Sequence, residues 1–370
     1  MKIIHITLGK ANPNRMNGVN KVVHSLATSQ KNIGHDVEVL GLTNTGEIEK
    51  IERNYHINFY RKKTFLLDTS LNVYIDEIDP YNSLVHMHGG FITDFYLIAR
   101  QLNKNHIKYI FTPHGSYNKE ALKKKYYLKK VFFIIFDRYI LKHAWKVQFL
   151  GESEYRYIDN LITGLKKVLI PNGQDMDELI FVNVKVLSDK QPIFGFVGRI
   201  DLITKGLDIL FNGFLVYKKN GGSGVLWVVG GGADLEKLQL WSKLNALDND
   251  IIFFGSKFGN EKLNLMANMD VFVHTSRFEG FPMAVLEASG LGVPLLISKE
   301  TNFGIFVKKY QCGMVLKNNS PKDICYALKE FELLDRHEIS IMKKRAIEMV
   351  EVEFNWEIIS KRLLEQGMQS

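Results

Sequence analysis

The sequence predicts an α/β protein made of two doubly wound domains. Three observations carry that reading. Short apolar runs of strand length alternate with amphipathic helical stretches along the whole chain. The alternation falls into two series separated by a polar stretch. The length, 370 residues, exceeds one ordinary domain of about 150 residues and suits two.

The first series opens with the strand KIIHITL, 2–8, followed by the helical stretch VNKVVHSLATSQKNI, which stops at Gly34. A glycine just past the last apolar position is a helix stop. The strand DVEVLGL, 36–42, completes a βαβ unit. SLVHMHG, IKYIFTPHG, WKVQFLG and KKVLIPNG are further strands that end in glycine turns. The second series runs PIFGFVGRI, VLWVVGGG, IIFFGS, VFVHTS, VPLLIS and GMVLK, with helices such as LEKLQLWSKLN and EKLNLMANM between them. The polar stretch 182–191 is the expected linker. It gives domains 1–185 and 186–352, with a last amphipathic helix within 353–370. Ligands of open parallel sheets bind beyond the carboxyl ends of the strands, so the expected site lies in a cleft between two facing domains.

Composition narrows the class. Apolar residues make up 46% and charged residues 24%, the balance of a soluble globular protein. Cys312 and Cys325 are too few for a disulfide framework and lack metal-type spacing, so both read as buried thiols of a reducing compartment. No run reaches the ~20 apolar residues of a membrane span. The start MKIIHITLGK is broken by His5 and is too short for a signal peptide. A cytoplasmic location is expected. The net charge of +8, from 48 Lys+Arg against 40 Asp+Glu, favours anionic partners. No nucleic-acid recognition motif is present, so nucleic acid is not expected as one.

Two stretches concentrate chemistry. In VGRIDLITKGLDIL a strand ends at Gly198, and Arg199 and Lys205 flank the loop before the next helix. Arg199 can grip phosphate oxygens in a bidentate manner, and Lys205 adds a point charge. In RFEGFPMAVLEASGLGVP, 277–294, Pro282 suits a first helical position. The amides of Gly280, Phe281, Met283 and Ala284 would then gather at a helix start that favours an anion. Glu279 stands beside that start and Glu287 lies within the helix. A buried carboxylate is costly unless hydrogen-bonded, and the hydroxyls of a ribose or hexose would meet that need.

These stretches resemble glycosyltransferase family 4, retaining enzymes of the GT-B fold with an E-x7-E signature. The resemblance covers nearly the whole chain. RFEGFPMAVLEASGLGVP matches the signature, and NGVNKVVHSLATSQKNIGHDVEVL is similar to the family's first loop, helix and strand. FTPHGSY, IPNGQD, FVGRIDLITKG, VVGGGADLEKL and FFGSKFGNEKL follow in family order, and FNWEIISKRLL resembles the helix that returns to the first domain.

The resemblance implies two Rossmann-like domains and transfer of a sugar, from a UDP- or GDP-linked donor, to a hydroxyl of a glycan or polyprenyl-linked acceptor. Bacterial surface polysaccharide or lipopolysaccharide synthesis is the expected setting. Glu279 would meet sugar hydroxyls, Glu287 the ribose, and Arg199 and Lys205 the diphosphate. Gly18 would let backbone approach phosphate, which a Cβ would prevent. His114 would face the donor sugar. Gly255, Ser256 and Phe258 would border the base. No metal is expected, because cations and a helix start supply the positive potential and DNDI, 248–251, offers no second carboxylate cluster. Three departures stand out. Asn17 replaces the first of two loop glycines and Gln174 an aliphatic residue. The segment KETNFGIFVKKYQCG replaces a Gly-Gly-Glu element, with Asn302 and Gly304 in its place.

Lesser signals leave alternatives open. His86 and His88 lie on one strand face, and a metal site would need a third ligand that is not evident. His88 reads either as an acceptor-side contact or as an ordinary strand-end histidine. His114, between Pro113 and Gly115, reads as a site residue or as a ring bonded to its own loop. Lys119–Lys130 holds six lysines and one glutamate. Residues 123–143 read as an amphipathic helix with Leu128, Val131, Phe132, Ile135 and Tyr139 on one face. That helix either meets an anionic membrane at its inner face or packs on the sheet. A nucleotide-sugar epimerase and a non-catalytic nucleotide-sugar-binding protein are the competing functions. An epimerase needs acid/base groups on both cleft faces, and a binding protein would lose Glu279 and His114.

Overall fold

Two parallel sheets, each wrapped by helices, organise the chain. The computed structural model describes residues 1–12, 18–44, 51–63, 66–123, 125–179 and 191–368. Its first unit comprises Met1–Gly173 with Trp356–Ser370, and its second Gln174–Asn355. The expected linker 182–191 lies outside the described residues except for Gln191, and so does the boundary at 185/186.

The first unit has strands β1 (Lys2–Leu8), β2 (Asp36–Thr43), β3 (His56–Arg61), β4 (Ser83–His88), β5 (Tyr109–Thr112), β6 (Lys146–Phe149) and β7 (Lys167–Leu169). Their order is β3-β2-β1-β4-β5-β6-β7, all parallel. The runs of Ile, Val and Leu are buried because helices cover both sheet faces. Strand β3 has no counterpart in the sequence reading. It is a half-exposed edge strand, so its polar residues hide the apolar signal. Helix Trp356–Met368 packs against helix Gly18–Asn32, where Ser360 donates to Ser29 Oγ at 2.9 Å.

The second unit has β8 (Ile193–Val197), β9 (Val225–Val229), β10 (Ile251–Gly255), β11 (Val271–His274), β12 (Leu295–Ile297) and β13 (Gly313–Val315). Their order is β10-β9-β8-β11-β12-β13, again all parallel. The sheet order reverses direction at β8/β11, and the loops after these two strands carry the residues described next.

The single helix expected over 123–143 is not continuous. Lys125 adopts the left-handed region at φ 58°, which ends one helix before Tyr126–Phe132 begins. A π-helical turn, Phe133–Asp137, then widens the backbone and brings Asp137 fully inside. There its Oδ2 accepts from Phe91 N at 3.2 Å. Nor is the expected apolar face buried on the sheet. Leu128 is 66% exposed and Val131 and Ile135 are each 54% exposed.

Candidate active site

The loop 201–206 after β8 is tied to the loop after β11. Arg277 N donates to Thr204 O at 3.0 Å, and the Arg277 guanidinium grips Asp208 at 2.7 Å through two nitrogens. Gly206 sits at φ 63°, where a Cβ would meet Thr275 O at 2.1 Å. Only glycine permits that approach. The tie delivers Lys205 to Glu279.

Lys205 Nζ donates to Glu279 Oε1 at 2.5 Å. Ser276 Oγ donates to the same oxygen at 2.8 Å, and His274 Nε2 lies 3.0 Å from it. Three donors therefore converge on Oε1, while Oε2 has no partner among the described residues. Burial works against the ionised carboxyl, but the Lys205 charge and the His274 hydrogen bond outweigh it. The pKa of Glu279 is held well below the usual carboxylate range. His274, enclosed between Phe196 and Phe272, is pushed down by burial despite its bond to Glu279.

Asn302, in the left-handed region at φ 65°, donates to Glu279 O at 3.0 Å and Gly280 O at 2.9 Å. These bonds fix the peptides of the Gly280-Phe281 turn. Pro282 is the residue before the helix rather than its first position, and the helix spans Met283–Gly290. Glu287 within it is 2% exposed and accepts from Lys262 Nζ at 2.7 Å. Arg199 extends into solvent, with its side chain 63% exposed and 3.7 Å from Asp201. Gly255, at φ 67°, ends β10; Ser256 follows it, and Phe258 is 44% exposed ahead of helix Gly259–Ala267. Asp250 of the DNDI stretch is paired with Lys218 at 2.8 Å.

In the first unit Gly18 opens helix Gly18–Asn32, and a Cβ there would meet nothing within 4 Å. Asn17 lies outside the described residues. His114 is half-buried in the left-handed region at φ 54°. Its loop is clamped by buried Glu154, which accepts from Gly115 N at 3.0 Å and Tyr117 N at 2.7 Å. His114 Nε2 lies 3.1 Å from His88 Nδ1, and among the described residues the ring has no hydrogen bond to its own loop.

His88 itself is 1% exposed, and His88 Nε2 lies 2.9 Å from His5 Nδ1. With both ring nitrogens engaged it has no atom to offer an acceptor directly. The third histidine beside His86 and His88 does exist. It is His5, opposite His86 in the β1/β4 register. Sequence reasoning missed His5, His274, Ser276 and Lys262. Only the strand-end position of His274 and Ser276 signals them.

Comparison with known proteins adds to this geometry. Residues 177–349 match the family model described as glycosyl transferases group 1, and residues 16–178 match the one described as glycosyltransferase family 4. The chain is 26% identical over 181 residues to the lipopolysaccharide 1,6-galactosyltransferase of Salmonella typhimurium, covering 45% of this chain and 49% of that protein. It spans about half the length of the curated relatives it matches. Solved structures share its fold, among them the following two. Sucrose-phosphate synthase from Thermosynechococcus elongatus has a TM-score of 0.76 at 18% identity, covering 98% of this chain and 97% of its own. Anabaena HepE in complex with UDP has a TM-score of 0.74 at 14% identity, covering 99% of each. The architecture is GT-B.

Proposed function

We propose that this chain, which belongs to glycosyltransferase family 4, transfers a sugar from a nucleoside-diphosphate donor to a hydroxyl of a glycan or lipid-linked acceptor. Bacterial surface polysaccharide synthesis is the setting in which we place it. The observation that carries the reading is the one-sided Glu279 carboxylate. Three donors hold Oε1, and Oε2 is left to accept from a sugar hydroxyl. Lys205 Nζ, with donors beyond the one given to Glu279, lies where it can also serve a phosphate. Arg199 reaches for the same diphosphate from solvent, and the amides at Met283 and Ala284 add a helix start. Glu287 takes the ribose diol, and the Gly255–Phe258 segment the base. Gly18 and His114 of the first unit are proposed as donor contacts on family resemblance.

In the transfer the acceptor oxygen bonds to the anomeric carbon as the bond from that carbon to the diphosphate oxygen breaks. The electron pair leaves with the diphosphate, which takes the acceptor's proton. We propose attack on the face the leaving group departs from, which retains configuration. Fixed cations stabilise the departing charge in place of a metal.

A second surface supports an acceptor held at a membrane. Tyr127, Leu128, Val131, Ile134 and Ile135 are exposed beside Lys123, Lys125 and Lys130. Apolar side chains flanked by lysines suit the inner, anionic face of a membrane. No helix among the described residues is long and apolar enough to cross one.

The test is a panel of UDP- and GDP-linked sugars with chelator present. Thermal stabilisation by one donor, with slow release of its nucleoside diphosphate, supports the reading. Stabilisation without release favours a binding protein. Conversion of the donor sugar to its epimer favours an epimerase.

A further inference from the structure

Three imidazoles, two of them buried and the last half-buried, form a continuous chain in the first unit. Gln30 Oε1 lies 2.7 Å from His5 Nε2, His5 Nδ1 lies 2.9 Å from His88 Nε2, and His88 Nδ1 lies 3.1 Å from His114 Nε2. Gln30, His5 and His88 are each at most 1% exposed. The chain starts at helix Gly18–Asn32, passes through the middle of β1 and the carboxyl end of β4, and finishes in the loop after β5.

Each contact needs one proton, and the first link decides where all of them lie. An amide oxygen only accepts, so His5 carries its proton on Nε2. A neutral His5 then has a lone pair on Nδ1, and His88 must donate to it from Nε2. His88 Nδ1 is in turn an acceptor, and His114 must donate to it from Nε2. His114 Nδ1 is left without a proton, and it has no partner among the described residues.

The neighbouring ring is fixed in the same sense. Thr112 Oγ1 donates to Gln148 Oε1 at 2.8 Å, and Gln148 Nε2 donates to Ile170 O at 2.9 Å. Thr112 must therefore accept from His86 Nε2, 2.7 Å away.

We propose that Gln30, His5 and His88 are positioning residues that hold His114 in its Nε2–H tautomer. His114 thereby presents an unprotonated Nδ1 that can only accept a hydrogen bond, as from a sugar hydroxyl. A metal held by His5 Nδ1 and His88 Nε2 would have to displace the proton they share and would break this chain. Neutrality is consistent with the surroundings. Burial pushes His5 down to about 4 and His114 down to about 3, and His88 well below its usual value. The inference rests on the proposed glycosyl transfer only for what His114 Nδ1 would meet.

The test is nitrogen NMR of protein labelled with ¹⁵N-histidine, which separates protonated from unprotonated ring nitrogens in each ring. Wild-type protein is expected to show Nε2–H tautomers at His5, His88 and His114. Gln30→Leu should mix the His114 tautomers and lower kcat/KM for the donor about 10-fold, a loss typical of removing an orienting partner of an imidazole. An Nδ1–H tautomer at His114 in the wild type overturns the proposal, whether or not Gln30→Leu folds. So does bound zinc with metal-shifted signals at His5 and His88. Wild-type tautomers as stated with no diphosphate release from any donor would uphold the chain and sink the transferase reading.

Discussion

Lys205 Nζ and Glu279 Oε1 are 2.5 Å apart, with side chains only 16% and 14% exposed. A pair this enclosed costs more when one partner is removed than when both are, because the remaining charge stays buried. Lys205→Met and Glu279→Gln should each destabilise the second unit. The lysine variant should lose more, at about 3–5 kcal/mol, because it strands an anion. The double variant should recover part of that loss. Urea unfolding of the four proteins of this cycle measures it, and strict additivity would mean that the pair is not coupled.

Arg199 is the contrasting cation. Its side chain is 63% exposed, so Arg199→Ala should leave the unfolding midpoint within experimental scatter. Turnover should fall about 10²–10³-fold, the usual loss for one charge-stabilising donor. Normal steady-state turnover in this variant would remove Arg199 from the phosphate grip.

The clamp under His114 should make the first unit sensitive to pH. Burial raises the Glu154 pKa to about 7, against the opposing effect of the Tyr117 and Gly115 amides. Asp137 is raised to about 7 by the same cause. The folded state therefore binds these protons more tightly than the unfolded chain does. Their contribution is fully present below the unfolded carboxyl values and is lost as pH rises through about 7. Wild-type protein should unfold at lower denaturant at pH 8 than at pH 6, and Glu154→Gln should flatten that difference. A difference of equal size in the variant would assign the dependence elsewhere.

The lysine-rich surface gives a binding prediction. Neutralising Lys123, Lys125 and Lys130 with glutamine should weaken binding to phosphatidylserine vesicles on the order of 10²-fold, at about 1 kcal/mol for each lysine. Diphosphate release from the donor should be unchanged. Sedimentation with vesicles checks it, and unchanged binding would return this surface to a purely structural role.

How much of this was legible in the sequence depends on the range of each contact. The strands that lead into the Lys205 and Glu279 loops were legible because parallel strands are continuous apolar runs, and strand-end loops are where such folds bind. Glu279 and Glu287 stood out as carboxylates in apolar company. The pairing of Lys205 with Glu279 was not legible, since it depends on Gly206 meeting Thr275 across two loops. His5 interrupts an apolar strand and has no local signature. It gains meaning only when the sheet register brings it opposite His86. Edge strand His56–Arg61 and the break at Lys125 escaped for the opposite reason, because their local patterns point elsewhere.

The central claim is that Glu279 Oε2 accepts from a hydroxyl of the donor sugar. Titration calorimetry of wild type and Glu279→Gln, each with a nucleotide sugar and with the matching free nucleoside diphosphate, tests it most directly. The account predicts weaker binding of the sugar nucleotide to the variant, with binding of the free diphosphate nearly unchanged. Equal affinities of the two proteins for the sugar nucleotide would contradict it.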